Sequence, residues 1–372
     1  MKKLLFIDNT AHHLYTQEHL YSNFLKNGYK IILCCPNDNN YFSKLIKAGY
    51  HCENIDINSK SINPLKDVIL LINLYSIIKK IKPSLIFSFT IKPNIYTSLI
   101  CKILKIEVVP NITGLGYIFT KKNILTKFVL YLYKFAFSKL KFIFFQNSDD
   151  KNKFIENKIL KSSTKIIQIP GSGVDLSKFY FTNYSNENQS INFLYSGRLL
   201  WDKGIDELIK SFRILKQRYK NIQLTMIGNF YHGNPSAINE AQILSWQNEL
   251  NINYLGMVND VPKYIAEADC IILPSYSEGM PRAILEGSSM GKVVITTDAV
   301  GCKDSVEHEI TGFICKTKDV NSLVKAMEKF INLPCEQKKQ LGLNGRKKME
   351  LQFDQKIVIN EYFNVIKTLN IV

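Results

Sequence analysis

The chain has eight cysteines but no Cys-x-x-Cys pair, and it has no Asp-x-Asp anywhere in its 372 residues. The first absence argues against a zinc or disulfide framework. The cysteines at 34, 35, 52, 101, 270, 302, 315 and 335 include several in apolar runs, such as Ile31–Cys35 and Cys270–Leu273. They read as buried thiols of a reducing compartment. The second absence removes the carboxylate cluster that commonly holds a divalent ion, so no metal ligands are expected. No stretch reaches the roughly 18 consecutive apolar residues that a membrane-crossing helix needs. Met1-Lys-Lys-Leu-Leu-Phe-Ile opens like a signal peptide, but Asp8 cuts the run short, and a first buried strand is the better reading. A cytoplasmic chain, with association to a membrane surface left open, is the expectation. Neither an internal repeat nor a low-complexity segment is present.

Acidic residues are also the scarcer sign of charge. Lys and Arg number 48 against 32 Asp and Glu, a formal net charge of +16. That surface favours anionic partners: nucleic acid, acidic lipid or diphosphate substrates. The plainer reading is a solvated lysine-rich surface. The lysines are dispersed, and no nucleic-acid recognition motif accompanies them.

Short apolar runs alternate with helical spacing through the first half. Leu4–Ile7, Lys30–Cys35, Ser84–Phe89, Val108–Ile112 and Phe142–Gln146 predict strands, with helices over Thr16–Asn27 and Pro64–Ile81. The pattern then restarts. Ile191–Ser196, Gln223–Ile227, Ile252–Leu255, Cys270–Leu273 and Val293–Thr296 predict strands. Gly204–Arg218, Val261–Ala268, Arg282–Met290, Val320–Leu333 and Gln355–Leu369 predict helices. This alternation implies an α/β chain of two doubly wound, Rossmann-like parallel-sheet domains facing across a cleft. The expected divisions are 1–168, 169–354, and a C-terminal helix, 355–372, returning to the first domain. Ligands of such sheets bind beyond the carboxyl ends of the strands.

Two motifs carry chemistry. In Ser277-Glu-Gly-Met-Pro-Arg-Ala-Ile-Leu-Glu286 a strand runs into a loop at Gly279, and Pro281 is placed in the first turn of a helix. Such a helix start suits a diphosphate, with Glu286 about 7.5 Å up the helix. In Ser196-Gly-Arg-Leu-Leu-Trp-Asp-Lys-Gly204 a strand ends at Gly197, and Arg198 and Lys203 follow before a helix. A guanidinium fork and a point charge can both serve phosphate oxygens. Taken singly, the motifs also fit a capped surface helix and a basic turn.

Together, in this order and separation, they resemble the donor site of the glycosyltransferase family 4 enzymes, which have the GT-B fold. Glu278 and Glu286 match that family's Glu-x7-Glu pair, and Arg198 and Lys203 its diphosphate-binding cations. The likeness extends to Gly171–Phe179 and to Tyr254–Asp260, and so covers nearly the whole chain. It implies a retaining, metal-independent transfer from a nucleotide sugar used as substrate, with no cofactor. Arg198, Lys203 and Glu278 would be catalytic. Gly197, Val258, Gly279, Met280, Pro281 and Glu286 would bind a UDP-sugar donor.

Phe89-Thr-Ile-Lys-Pro-Asn-Ile-Tyr96 and Asn111-Ile-Thr-Gly-Leu-Gly116 resemble a bacterial branch that builds glycans on polyprenyl diphosphate. Its members include α-1,3-N-acetylgalactosaminyltransferases with undecaprenyl-diphosphate-linked acceptors. Thr10, His12, His13, Lys92, Gly114 and Gly116 are the candidate acceptor contacts. The family's glycine pair after strand one is replaced by Asp8-Asn-Thr-Ala-His-His13, and the segment where many members have a sugar-contacting histidine reads Phe87–Lys92. No catalytic histidine is therefore transferred, and His12 and His13 also fit partnerless, solvated loop residues. Lys121–Lys141 mixes lysines and aromatics as a helix for an anionic membrane surface would, or as a sheet-covering helix would. The competing functions are another GT-B enzyme, such as a UDP-sugar 2-epimerase, and a non-enzymatic basic protein binding nucleic acid or lipid.

Overall fold

The computed structural model describes residues 1–57, 63–115, 124–184, 190–231 and 234–371. The chain divides into two compact units. The first is Met1–Ser172 with Val358–Val372, the second Gly173–Ile357.

In the first unit the order is β1 (Lys3–Ile7), α1 (Ala11–Tyr15), α2 (Glu18–Lys26), β2 (Lys30–Cys35), α3 (Tyr41–Lys47), β3 (His51–Asn54) and α4 (Pro64–Ile81). It continues through β4 (Leu85–Phe89), α5 (Ile91–Leu104), β5 (Glu107–Ile112), α6 (Ile124–Ala136), β6 (Phe142–Phe145), α7 (Ser148–Glu156) and β7 (Lys165–Gln168). The strands form one sheet, β3-β2-β1-β4-β5-β6-β7, with parallel pairing throughout. Side chains alternate faces along a strand. Leu4 and Phe6 of β1 accordingly join one core with α1–α3, whereas Leu5 and Ile7 join the other with α4–α7. Central strands such as β4 are buried along their whole length, as a sheet covered on both faces requires.

The second unit holds β8 (Ile191–Ser196), α8 (Ile205–Arg218), β9 (Ile222–Ile227), α9 (Glu240–Leu250), β10 (Asn253–Tyr254), α10 (Val261–Glu267) and β11 (Cys270–Leu273). Then come α11 (Arg282–Ser289), β12 (Val293–Thr297), β13 (Gly312–Cys315), α12 (Val320–Asn332) and α13 (Cys335–Lys348); α14 (Gln355–Thr368) starts in this unit and returns to the first. Its parallel sheet runs β10-β9-β8-β11-β12-β13. Val174 and Asp354, near the unit's two ends, pair as a bridge. Beyond Ile357, Tyr362 of α14 packs on Phe24, Phe87 and Phe144 in the first unit's core.

The expected helix over Thr16–Asn27 is α2, and a short helix not anticipated, α1, precedes it. Thr10 caps α1 by accepting from the His13 amide, and Thr16 donates to the His13 carbonyl, so the chain turns before α2 begins. β3, β7, β13 and the helices α1, α3, α5, α7, α9 and α13 were not anticipated.

In both sheets the strand order reverses beside the first strand. The crevice lies between β1 and β4 in one unit and between β8 and β11 in the other, and such switch points are where doubly wound sheets bind ligands.

Candidate active site

At the second unit's switch point, β8 ends in Ser196 and the Gly197 amide donates to the Ile227 carbonyl (2.9 Å). The buried Tyr195 hydroxyl donates to the Arg198 carbonyl (2.7 Å), fixing the turn. Burial, then the nearby Glu278 charge, pushes this phenol well above its usual range, with Arg198 opposing. The Arg198 side chain is exposed, its guanidinium 5.4 Å from the Tyr231 ring centroid.

Trp201–Lys203 forms a 3-10 turn ending in Gly204, whose φ is +70°. A Cβ there would lie 1.9 Å from the Pro274 carbonyl oxygen, so the loop after β8 presses on the loop after β11. Two more bonds join the loop after β11 to the loop after β8 and to α8. The Tyr276 amide donates to the Asp202 carbonyl (2.9 Å), and the Tyr276 hydroxyl to Glu207 (2.8 Å). The result is a direct ion pair between the Lys203 ammonium and the Glu278 carboxylate, whose side chains are only 10% and 16% exposed.

Glu278 is held from behind. Its amide donates to the Val300 carbonyl (2.9 Å). Gly301, at φ +76°, approaches so closely that a Cβ would lie 2.4 and 2.6 Å from the carbonyl oxygens of Glu278 and Gly279. Gly301 comes from the loop after β12 and was missed in the sequence, because no local motif marks it.

Pro281 is the N-cap of α11, not a residue of its first turn. Its ψ of 108° is extended and its carbonyl accepts from Ile284 and Leu285, so the helix starts at Arg282. No side chain of the cap residue bonds the helix start, which leaves the first-turn N–H groups uncapped from that side. Glu286 is paired with Arg282 (3.1 Å), and its side chain is 12% exposed. Burial raises its carboxyl above the usual range, partly offset by Arg282 and Lys178. Met280 and Val258 are half-buried against the unit's core. Val258 follows Gly256, whose carbonyl accepts from the Gly228 amide (2.9 Å). The ends of β8, β9 and β10 are thereby stitched side by side.

In the first unit, Asp8 at the end of β1 is fully buried. One of its carboxylate oxygens accepts from the Thr10 amide (2.9 Å), and the other meets His13 Nδ1. Gln17 Nε2 lies 3.3 Å from His13 Nε2, and the imidazole stands edge-on to Phe89 at 5.4 Å. The reading of His13 as partnerless is thus corrected: a carboxylate five residues earlier holds it, a pairing visible only once α1 turns back over β1. His12 packs on Tyr41 (4.6 Å). Lys92 donates to Asp67 (2.6 Å). In the motifs around Lys92 and Gly114, Asn94 and Asn111 do structural work. Asn94 accepts from Ser88 and donates to the Asn111 carbonyl, while Asn111 donates to Tyr362. Gly114 has φ +128°, and Gly116 lies outside the described residues, as does the 121–123 portion of the lysine–aromatic segment. Among the described residues no cluster of His, Cys, Asp or Glu has a metal-holding arrangement, and no helix is long and apolar enough to cross a membrane.

Known proteins fit this layout. Residues 178–348 match the family described as Glycosyl transferases group 1, and residues 3–147 match Glycosyl transferase 4-like. A Campylobacter jejuni N,N'-diacetylbacillosaminyl-diphospho-undecaprenol alpha-1,3-N-acetylgalactosaminyltransferase is 27% identical over 354 residues, 90% of each chain. An Escherichia coli UDP-Gal:alpha-D-GlcNAc-diphosphoundecaprenol alpha-1,3-galactosyltransferase is 25% identical over 308 residues, covering 77% of each. Among solved structures, Anabaena Alr3699/HepE in complex with UDP superposes over the full length of both chains with a TM-score of 0.78 at 17% identity.

Proposed function

The chain belongs to the glycosyltransferases, its second unit to group 1 and its first to the 4-like family, and from that premise we propose a retaining, metal-independent sugar transfer. The donor is a UDP-sugar, with an N-acetylhexosamine such as GalNAc as the transferred group. The acceptor is an undecaprenyl-diphosphate-linked saccharide in bacterial glycan synthesis, met at the anionic inner face of the plasma membrane.

The observation that carries this reading is the pairing of Lys203 with Glu278 at the switch point of the group 1 unit, beside Arg198 and the start of α11. Relatives whose names specify undecaprenyl-diphosphate acceptors and α-1,3 transfer support the substrate class. In this scheme the donor diphosphate sits against the α11 start with Arg198 and Lys203 as countercharge. Glu278 holds sugar hydroxyls, and Glu286 holds ribose. The bond from the anomeric carbon to the phosphate oxygen breaks, and that oxygen takes the proton of the incoming acceptor hydroxyl. The hydroxyl oxygen bonds the anomeric carbon on the face that the diphosphate leaves, so the α configuration is retained. The cations stabilise charge that grows on the leaving group, where preorganised electrostatics act most strongly.

A panel of UDP-sugars against undecaprenyl-diphosphate-linked mono- and disaccharides, run in excess EDTA, tests the proposal. Transfer of an N-acetylhexosamine with an α anomeric coupling by proton NMR is expected. A β-linked product overturns the mechanism, and a loss in EDTA that magnesium restores overturns metal independence.

A further inference from the structure

Helix α4 is apolar on two sides. One stripe, Leu70, Leu74, Ile78 and Ile81, is buried in the first unit's core. A second, Leu65, Val68, Ile69 and Ile72, repeats at i, i+3, i+4 and i+7 and is 52–75% exposed. A helix on a protein surface ordinarily turns polar residues to water. α6 repeats the anomaly. Val129, Tyr133 and Ala136 are buried, whereas Phe128, Tyr131 and Phe135 are 55–67% exposed. α5 packs against both helices and adds Ile103, which is 71% exposed. A groove of about 510 Å³ runs through this face, lined by Leu71, Tyr75, Leu99, Ile100 and Phe135 among others, with Lys102 its one charged residue. The Lys102 ammonium is held by the Phe135 carbonyl (2.8 Å) and the Ser138 hydroxyl (2.9 Å).

Contiguous exposed apolar surface of this kind marks an interaction site, and its charge says with what. The three helices carry lysines at 66, 79, 80, 92, 102, 127 and 134; their single carboxylate, Asp67, is taken by Lys92, and Lys80 pairs with Glu53 of β3. A nucleic-acid surface is marked by a recognition motif, and these helices carry none. The core of a protein–protein interface is depleted of lysine. Exposed apolar stripes on lysine-rich helices match the boundary layer of an anionic bilayer, where side chains enter the acyl region and lysines meet headgroups.

We propose that the α4–α5–α6 face of the first unit is a shallow insertion surface for an anionic phospholipid bilayer. It gives a place to the membrane partner in the reading above, and rests on that reading only for its purpose.

The test uses the full chain and phosphatidylcholine vesicles with or without phosphatidylglycerol. They contain no acceptor, so partition is read independently of transfer. Wild type is expected to bind the anionic vesicles. Ile69→Glu/Ile72→Glu/Phe135→Glu should lower partition at least ~10-fold, about 1.4 kcal/mol, because the insertion of three apolar side chains is lost. Its transfer to a short-chain, water-soluble acceptor should be unchanged. Lys79→Glu/Lys134→Glu should abolish the preference for phosphatidylglycerol. Should the triple variant misfold by circular dichroism, the single Ile69→Glu carries the same comparison. Wild-type binding by the apolar variants overturns the proposal, as does a wild type indifferent to vesicles. So does a dimer, seen by sedimentation, that the same substitutions dissociate. Vesicle binding without transfer to any polyprenyl-linked acceptor would instead refute the functional reading and leave this surface standing.

Discussion

Glu286 is a carboxylate that the second unit keeps at a cost. Burial raises its carboxyl and Arg282 and Lys178 only partly compensate. A carboxyl raised in the folded state stabilises below its unfolded value, and that stability is lost as pH rises through the folded value. Arg282 is 42% exposed, so its pair with Glu286 is worth little. Glu286→Gln should therefore melt above wild type at pH 7, with the gap closing in acid, while KM for the donor rises as a ribose contact is lost. A lower melting temperature at pH 7 with unchanged donor KM would remove Glu286 from the site. Glu278 makes a different claim. In the free chain it pairs with the Lys203 ammonium, which the proposed scheme assigns to the donor diphosphate. Glu278→Gln should bind free UDP more tightly by calorimetry and transfer sugar more slowly; weaker UDP binding would show that the pair does not compete with diphosphate.

The elements themselves explain which parts were legible in the sequence. β4, β6 and β11 are wholly buried; β6 and β11 read as unbroken apolar runs, and β4 is broken only by Ser88. β3 and β7 lie at the sheet edges, four residues each with exposed ends, and give neither a run nor an alternation. α5 buries Pro93, Asn94, Ile95, Thr97 and Ser98 in nearly unbroken succession, so no stripe marks it as a helix. Lys-rich α13 buries Lys338, Leu341, Gly342 and Gly345, too few apolar positions to trace a period. The site divides the same way. Ser196–Gly204 and Ser277–Glu286 are contiguous and show their chemistry locally, whereas Gly301 acts from a separate loop after β12. Its role predicts a phenotype. Gly301→Ala must place a Cβ against two carbonyl oxygens at positive φ, costing about 1–3 kcal/mol in strain and overpacking. The displaced backbone is that of Glu278 and Gly279, so the donor KM should rise together with the loss of stability. Wild-type donor kinetics in a destabilised Gly301→Ala would mean that the loop position is immaterial to the site.

At the scale of the whole molecule, each unit has its own sheet and its own cores, and the proposed UDP site is assembled from loops of the second alone. Gly197, Lys203, Glu278 and α11 all fall between Gly173 and Ile357. Chains of this kind need not unfold in one step. A ligand that binds only the folded form of one unit adds its binding free energy to that unit, about 2.7 kcal/mol at a hundredfold excess over Kd. UDP should therefore raise the unfolding free energy of residues 173–357, seen as slowed amide exchange in β8, β9 and β11, and leave β1, β4 and β5 near their unliganded rates. The covalent continuity of α14 across the division does not blur the comparison, because its Tyr362 anchors in the first unit's core. Equal protection of both sheets by UDP alone would mean that the nucleotide is also held by the first unit, and the site built here from the second unit's loops would be incomplete.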